Sequence, residues 1–249
     1  MTEPYYKGYL DSYEAYLRSS PYVQEVLTRL EQVTQGVQSM IDIGAGTGIF
    51  SLSAPASVSV TALEPSEAMR QAIRRHMVEC GRTVHIIGDT WEDAVLTQTY
   101  DVVLCANAIY AMQPLDTMLM KMIRTARQSL LIVMNGRRER GLYGAMRAEL
   151  AKEKLTNERP AGHTLDDVIG VLNQASLPYA IDNATWQDVK SFPTKQVAMD
   201  YLIDRYHITQ PNRPHAIDIL LPYITQANNA YQLIDTITMA FITVKGQGA

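Results

Sequence analysis

The chain has 249 residues, 47% apolar and 19% charged, ordinary globular usage in a chain long enough to bury a core without disulfide or metal staples. Disordered, collagen-like and small disulfide-rich classes are therefore excluded, and no run approaches the roughly 18 apolar residues of a membrane-spanning helix. Twenty-two basic residues stand against 26 acidic ones, a net charge of −4, whereas a protein held mainly to phosphate backbones carries the opposite excess; neither nucleic acid nor membrane is an expected partner.

Five tyrosines, Tyr5, Tyr6, Tyr9, Tyr13 and Tyr16, crowd the first sixteen residues. Tyr13 and Tyr16 are three apart and share a helix face. The opening Met1-Thr2-Glu3-Pro4-Tyr5 lacks the basic-then-apolar pattern of a secretion signal. Ser20-Pro21 opens a helix, Ser as cap and Pro at the first helical position, and Val23, Leu27, Leu30 and Val33 follow at helical spacing. From Ser39 the pattern changes to short apolar runs: Met40–Ile43, Val58–Leu63, Thr83–Ile87, Tyr100–Ala106 and Leu130–Met134. Helical stretches over Ser66–Cys80 and Leu115–Gln128 separate them, with Gly81 placed to end the first. Alternating strands and helices with apolar strands predict a parallel sheet covered on both faces.

Arg137, Arg138 and Arg140 form the one dense basic cluster, read as a solvated loop. Helices are predicted over Leu142–Lys154, Thr164–Ala175, Thr194–Tyr206 and Ala216–Thr225, with Thr164 and Asp167 as a capping box. Tyr179–Trp186 reads as a strand, and Thr236–Val244 as another by strict alternation. A strand arriving after a helical excursion predicts one sheet completed late. Cys80 and Cys105 have no metal-ligand spacing and fit a reduced, cytoplasmic compartment. No His/Cys grouping predicts a metal.

The most informative stretch is Ile41-Asp42-Ile43-Gly44-Ala45-Gly46-Thr47-Gly48-Ile49-Phe50. A strand ends in a glycine turn that feeds a helix, and ligands of open α/β sheets bind at the carboxyl ends of such strands. The dinucleotide fingerprint needs a small residue where Ile49 stands. A nicotinamide oxidoreductase is accordingly a weaker reading. Asp42, two residues before the turn, suits a ligand with a positive charge. Glu64 ends the second strand, Gly88-Asp89-Thr90-Trp91 follows the third, and Asn107-Ala108-Ile109-Tyr110 follows the fourth.

This series resembles the class I S-adenosylmethionine-dependent methyltransferase family. The resemblance implies a Rossmann-like α/β fold: a seven-stranded, mostly parallel sheet with helices on both faces, an antiparallel last strand and a helical insertion after strand five. It implies one domain divided as residues 1–38 (helical lid), 39–135 (cofactor core), 136–193 (helical cap) and 194–249 (closing helices and strand). The cofactor, S-adenosylmethionine with product S-adenosylhomocysteine, would lie on Asp42, Gly44, Ala45, Gly46, Gly48, Glu64, Pro65, Met69, Asp89, Thr90, Trp91 and Asn107. In the family the acid at Glu64 takes both ribose hydroxyls, the acid at Asp89 holds the adenine amino group, and Trp91 offers a stacking face.

Methyl transfer from a sulfonium is an in-line displacement in which alignment and exclusion of water are the main tasks. A base is needed only if the acceptor must lose a proton. Tyr110, Tyr13 and His163 are the candidate acceptor-side residues, with His207 and His215 as further imidazoles. The Asn/Asp-Pro-Pro-Tyr/Phe motif of amino-methyltransferases and the Pro-Cys pair of cytosine methylation are both absent, which leaves a small molecule as the expected acceptor, on a monomer or homodimer. A protein that binds the cofactor without transferring methyl would carry the same motifs.

Overall fold

The computed structural model describes residues 10, 14, 17, 20–136, 141–156 and 162–246. The Tyr5–Tyr16 lid, Tyr13 as a catalytic candidate, and the Arg137–Arg140 cluster lie outside the described residues, Leu10 and Glu14 apart.

Pro21–Val33 is helix α1, and the Ser20 side chain accepts from the Tyr22 N–H at 3.2 Å. The buried stripe is Tyr22, Val26 and Leu30; of the expected face Leu30 is buried, whereas Val23, Leu27 and Val33 are half-buried. Tyr22 turns inward because its ring meets Phe50 edge-on at 5.7 Å, a favourable aromatic geometry. Next come β1 (Ser39–Ile43), the short α2 (Ile49–Ser53) and β2 (Ser59–Leu63). Helix α3 (Glu67–Cys80) is capped by Ser66 and closed by Gly81 at φ +68°, a left-handed end that suits glycine. Then follow β3 (His85–Ile87), β4 (Tyr100–Ala106), α4 (Leu115–Thr125) and β5 (Ala126–Asn135). The helix expected to reach Gln128 stops at Thr125, because Ala126 already pairs with Tyr100 in the sheet and the Thr125 hydroxyl bonds back to the Lys121 carbonyl at 2.8 Å.

The remaining elements are α5 (Leu142–Lys152), α6 (Leu165–Gln174), β6 (Tyr179–Phe192), α7 (Lys195–Arg205), α8 (Arg213–Leu220), β7 (Thr225–Ala227) and β8 (Ala230–Lys245). The predicted capping box of Thr164 and Asp167 forms at α6. Two differences concern strands. β6 and β8 run well past the expected Tyr179–Trp186 and Thr236–Val244. The segment expected to finish a helix at Thr225 instead starts β7, which folds onto β8 through Asn228-Asn229. Both asparagines have positive φ, +50° and +61°, as a two-residue hairpin turn requires.

Seven strands lie in the order β3-β2-β1-β4-β5-β8-β6, and β7 pairs with β8 as the eighth. β1 to β5 pair with one another in parallel. β8 pairs antiparallel to β5, from Ser129↔Lys245 to Asn135↔Met239. The Rossmann-like sheet and its antiparallel closing strand are as expected, with one strand more.

The chain forms two compact units. The first comprises residues 1–136, 162–184 and 239–249; the second 137–161 and 185–238, so that the division falls within β6 and β8. These bounds cut across the expected helical cap of 136–193. In the first unit Leu165, Val168 and Leu172 of α6 join Ile41, Val103 and Ile132 of the sheet and Leu119 of α4 in one core. In the second unit Met146 and Leu150 of α5 pack with Leu202, Ala216, Leu220 and Leu233. The apolar residues that look alike in sequence on α5 and α6 thus serve separate cores. Gly141 gives α5 no capping side chain. Buried Asp235 of β8 accepts from the Leu142 N–H at 2.9 Å instead, satisfying a helix-end donor from a distance in sequence.

Among the described residues no helix is long and apolar enough to cross a membrane.

Candidate functional site

The strand order reverses between β1 and β4, the switch point outside which open α/β sheets bind ligands. The loops that meet there carry most of the residues singled out in the sequence. Gly44, Gly46 and Gly48 have φ of +71°, +57° and +80°, a region costly for side chains with a Cβ. At Gly44 the reason is also steric, since a Cβ would stand 2.4 Å from that of Ala108. The Gly44 and Ala45 amides both donate to the Leu63 carbonyl, at 2.8 and 3.1 Å, which ties the turn to the end of β2.

Asp42 lies beneath this turn, 1% exposed, and accepts from the Ser51 hydroxyl at 2.6 Å. Burial pushes its pKa up to about 6, and the nearby Glu64 charge adds to the rise against the Ser51 bond. Glu64 is itself buried. One carboxylate oxygen accepts from the Gly46 N–H at 2.8 Å and the other from the Ser66 N–H at 2.9 Å. The neighbouring Cys105 thiol is pushed up to about 12 by burial, then by the Asp42 charge, so it stays protonated and is no nucleophile.

Around this centre the expected residues divide. Pro65, Asp89 and Thr90 are exposed at the ends of β2 and β3, and Asn107 is exposed directly after β4. Met69 is buried on α3, where its N–H is held by the Ser66 cap. Trp91 departs from the expectation of a stacking face. It is 2% exposed, packed with Leu115, Met118 and Leu119, and its indole N–H donates to the Met118 carbonyl at 3.1 Å. A side chain this apolar gains more from the core than from a loop, and the α4 carbonyl satisfies its one donor.

Tyr110 and His163 come together. The His163 N–H donates to the Tyr110 carbonyl at 2.9 Å. The His163 ring Nε2 lies 2.7 Å from the Met112 carbonyl and 3.1 Å from the Gln113 side-chain Nε2. His207 and His215 belong to the second unit, where His215 faces Glu153 at 3.7 Å. Among the described residues no group of three or more His, Cys, Asp or Glu is arranged for a metal.

Sequence reasoning missed three supports. Ser51 holds Asp42, and no pattern nine residues on from an acid announces it. Arg70 donates to the Glu64 and Pro65 carbonyls at 2.8 and 2.7 Å and pairs with Glu67 at 2.6 Å; the Glu67…Arg70 spacing in a first helical turn was its signal. The third is Asn135, whose backbone N–H donates to the Tyr110 hydroxyl at 2.7 Å. A cavity of about 380 Å³ opens beside α2 and α3 and touches the glycine turn at Thr47. The strand ends, with their convergent backbone and carboxylate groups, are the better marker of the site.

Residues 40–129 match the methyltransferase domain family, which bears out the resemblance over that segment. No curated protein matches the chain. Among solved structures, the YcgJ protein of Bacillus subtilis is similar over 91% of this chain and all of its own, with a TM-score of 0.63 and 14% identity. The magnesium protoporphyrin IX methyltransferase of Synechocystis, solved with bound S-adenosylhomocysteine, is similar over 90% of this chain and 82% of its own, with a TM-score of 0.54 and 14% identity. At this identity the likeness is one of fold: the chain shares the Rossmann-like α/β fold of these structures.

Proposed function

We propose that this Rossmann-like α/β chain transfers a methyl group from S-adenosylmethionine to a small-molecule acceptor and releases S-adenosylhomocysteine. The observation that carries the reading is Asp42, a buried carboxylate beneath a glycine turn at the order reversal, held by the Ser51 hydroxyl and with its pKa raised by burial to about 6. Such a group fits the ammonium of an amino-acid tail, which would restore its charge. Glu64 fits the ribose: the Gly46 and Ser66 amides hold its carboxylate still, and a carboxylate, with two acceptor oxygens, can take both hydroxyls of a ribose. Pro65, Met69, Asp89, Thr90 and the glycine-turn residues Gly44, Ala45, Gly46 and Gly48 complete this side; Trp91 supports it from the core.

When bound, the cofactor supplies an electrophilic sulfonium methyl, and the protein's task is alignment and exclusion of water. If the acceptor must lose a proton, His163, held beside Tyr110 by its backbone N–H, is the candidate base. Tyr110 has a hydroxyl engaged at both ends of its reach and is assigned a supporting role. A reduced, cytoplasmic setting and a monomer or homodimer belong to the same reading.

Calorimetry with S-adenosylmethionine, S-adenosylhomocysteine and NAD tests it. Heat with the first two and none with NAD is expected, followed by transfer of labelled methyl to members of a small-molecule panel. Cofactor binding without any labelled product would make this a binding protein. Heat with NAD alone would replace the reading by an oxidoreductase.

A further inference from the structure

At the mouth of the switch point, three residues from the ends of β4 and β5 form a chain of hydrogen bonds whose direction is set by chemistry. The Asn135 backbone N–H donates to the Tyr110 phenol oxygen at 2.7 Å. A backbone N–H cannot reverse. The phenol, whose single hydrogen is its only donor, donates to the Asn107 Oδ1 at 3.0 Å. The relay runs Asn135 N–H, Tyr110 O–H, Asn107 Oδ1, and so decides which end of the Asn107 amide faces Tyr110. The other end, Nδ2, carries two N–H donors, and no described residue accepts from it.

The backbone keeps this amide where a ligand would meet it. Asn107 has φ +56°, a left-handed conformation uncommon outside glycine and tolerated best by Asn and Asp. Its own N–H is held by the Val133 carbonyl at 2.8 Å. The next residue, Ala108, is the one that lies against Gly44 of the turn. An exposed amide in a strained backbone, directly beside the glycine turn, is a feature that packing does not require; such outliers concentrate at functional sites.

We propose that Tyr110 is a positioning residue: through its hydroxyl it turns the Asn107 amide so that the Nδ2 donors face the bound nucleoside cofactor. The inference rests on the S-adenosylmethionine reading and adds to it the residue that orients one of the ligand's hydrogen-bond donors.

Asn107→Asp separates this from a purely structural bridge. A carboxylate at position 107 still accepts from Tyr110 and keeps the bridge, but has no N–H to offer. S-adenosylhomocysteine affinity, measured by calorimetry, is expected to fall about tenfold with the melting temperature little changed, since one net hydrogen bond is worth roughly two- to tenfold. Tyr110→Phe frees the amide to turn and leaves the Asn135 N–H without its acceptor. It is expected to weaken the same ligand by roughly fivefold. The double variant should bind no more weakly than Asn107→Asp alone, because the phenol acts only through the amide. Wild-type affinity in Asn107→Asp, or losses that multiply in the double variant, would overturn the proposal. Absence of heat with S-adenosylhomocysteine in the unaltered protein would instead strike the underlying cofactor reading.

Discussion

The two compact units differ in charge and in how they are built. The unit with the glycine turn has eleven Lys and Arg against seventeen Asp and Glu; the other has eleven against nine. A net negative field around a cleft raises the local concentration of cationic ligands, in keeping with a sulfonium donor. The first unit is also made largely of strand–helix steps, with β1, β2 and β4 buried along most of their length, whereas the second joins helices α5, α7 and α8 to strands whose earlier or later residues belong to the first. Local pattern therefore determines the first unit closely and the second poorly.

That contrast is best broken at Gly44. Gly44→Val would drive a side chain into Ala108 at a left-handed φ, and the expected loss is about 4 kcal/mol or more in denaturant unfolding, with S-adenosylhomocysteine binding abolished. A stable variant that still binds would show the turn to be less constrained than its geometry implies. In the second unit Leu202, fully buried, is the corresponding test. Leu202→Ala should lower unfolding free energy by about 2–4 kcal/mol, and a change below about 1 kcal/mol would mean that this core is loosely packed.

The next effect is one of pH. Asp42 has its folded pKa raised to about 6 from 3.8, so between those values the folded protein holds a proton that the unfolded chain does not. Its burial destabilises the fold above about pH 6 and ceases to do so as the pH falls. An ammonium ligand requires the charged form. S-adenosylhomocysteine affinity should thus rise with pH up to about 6, by up to roughly tenfold per unit, with proton release visible in calorimetry across buffers of different ionisation enthalpy. Replacing the acid by its amide, Asp42→Asn, should flatten that profile, and an unchanged slope would assign the titration elsewhere. The smallest effect concerns the β7–β8 hairpin. Asn229→Gly, at φ +61°, should stabilise by a few tenths of a kcal/mol to about 1; destabilisation would mean that the Asn229 side chain makes a contact of its own.

Legibility followed the range of the forces involved. β1, β2 and β4 were readable because burial on both faces leaves nearly continuous apolar runs, and α3 because Ser66 and Gly81 mark its ends. Asp42, Glu64 and the glycines were readable because strand ends followed by special turns leave a spacing. Trp91 was misread because an aromatic after a strand suits either a ligand or the core, and only the position of the Met118 carbonyl decides between them. The Asn228-Asn229 hairpin left a local signal that the preceding helical pattern masked. The Asp235 cap on α5 joins residues 93 apart and left none.

The order of residues along the chain was by itself enough to determine an α/β sheet with a glycine turn and acids after successive strands, since strand burial and turn conformation are dictated by neighbours. Only the tertiary structure decided that Tyr110 bridges Asn107 and Asn135, that Asp42 is buried deeply enough to titrate near pH 6, and that α5 and α6 serve different cores. Those outcomes depend on which distant groups meet and on how much water is removed where they meet, quantities that no local pattern encodes.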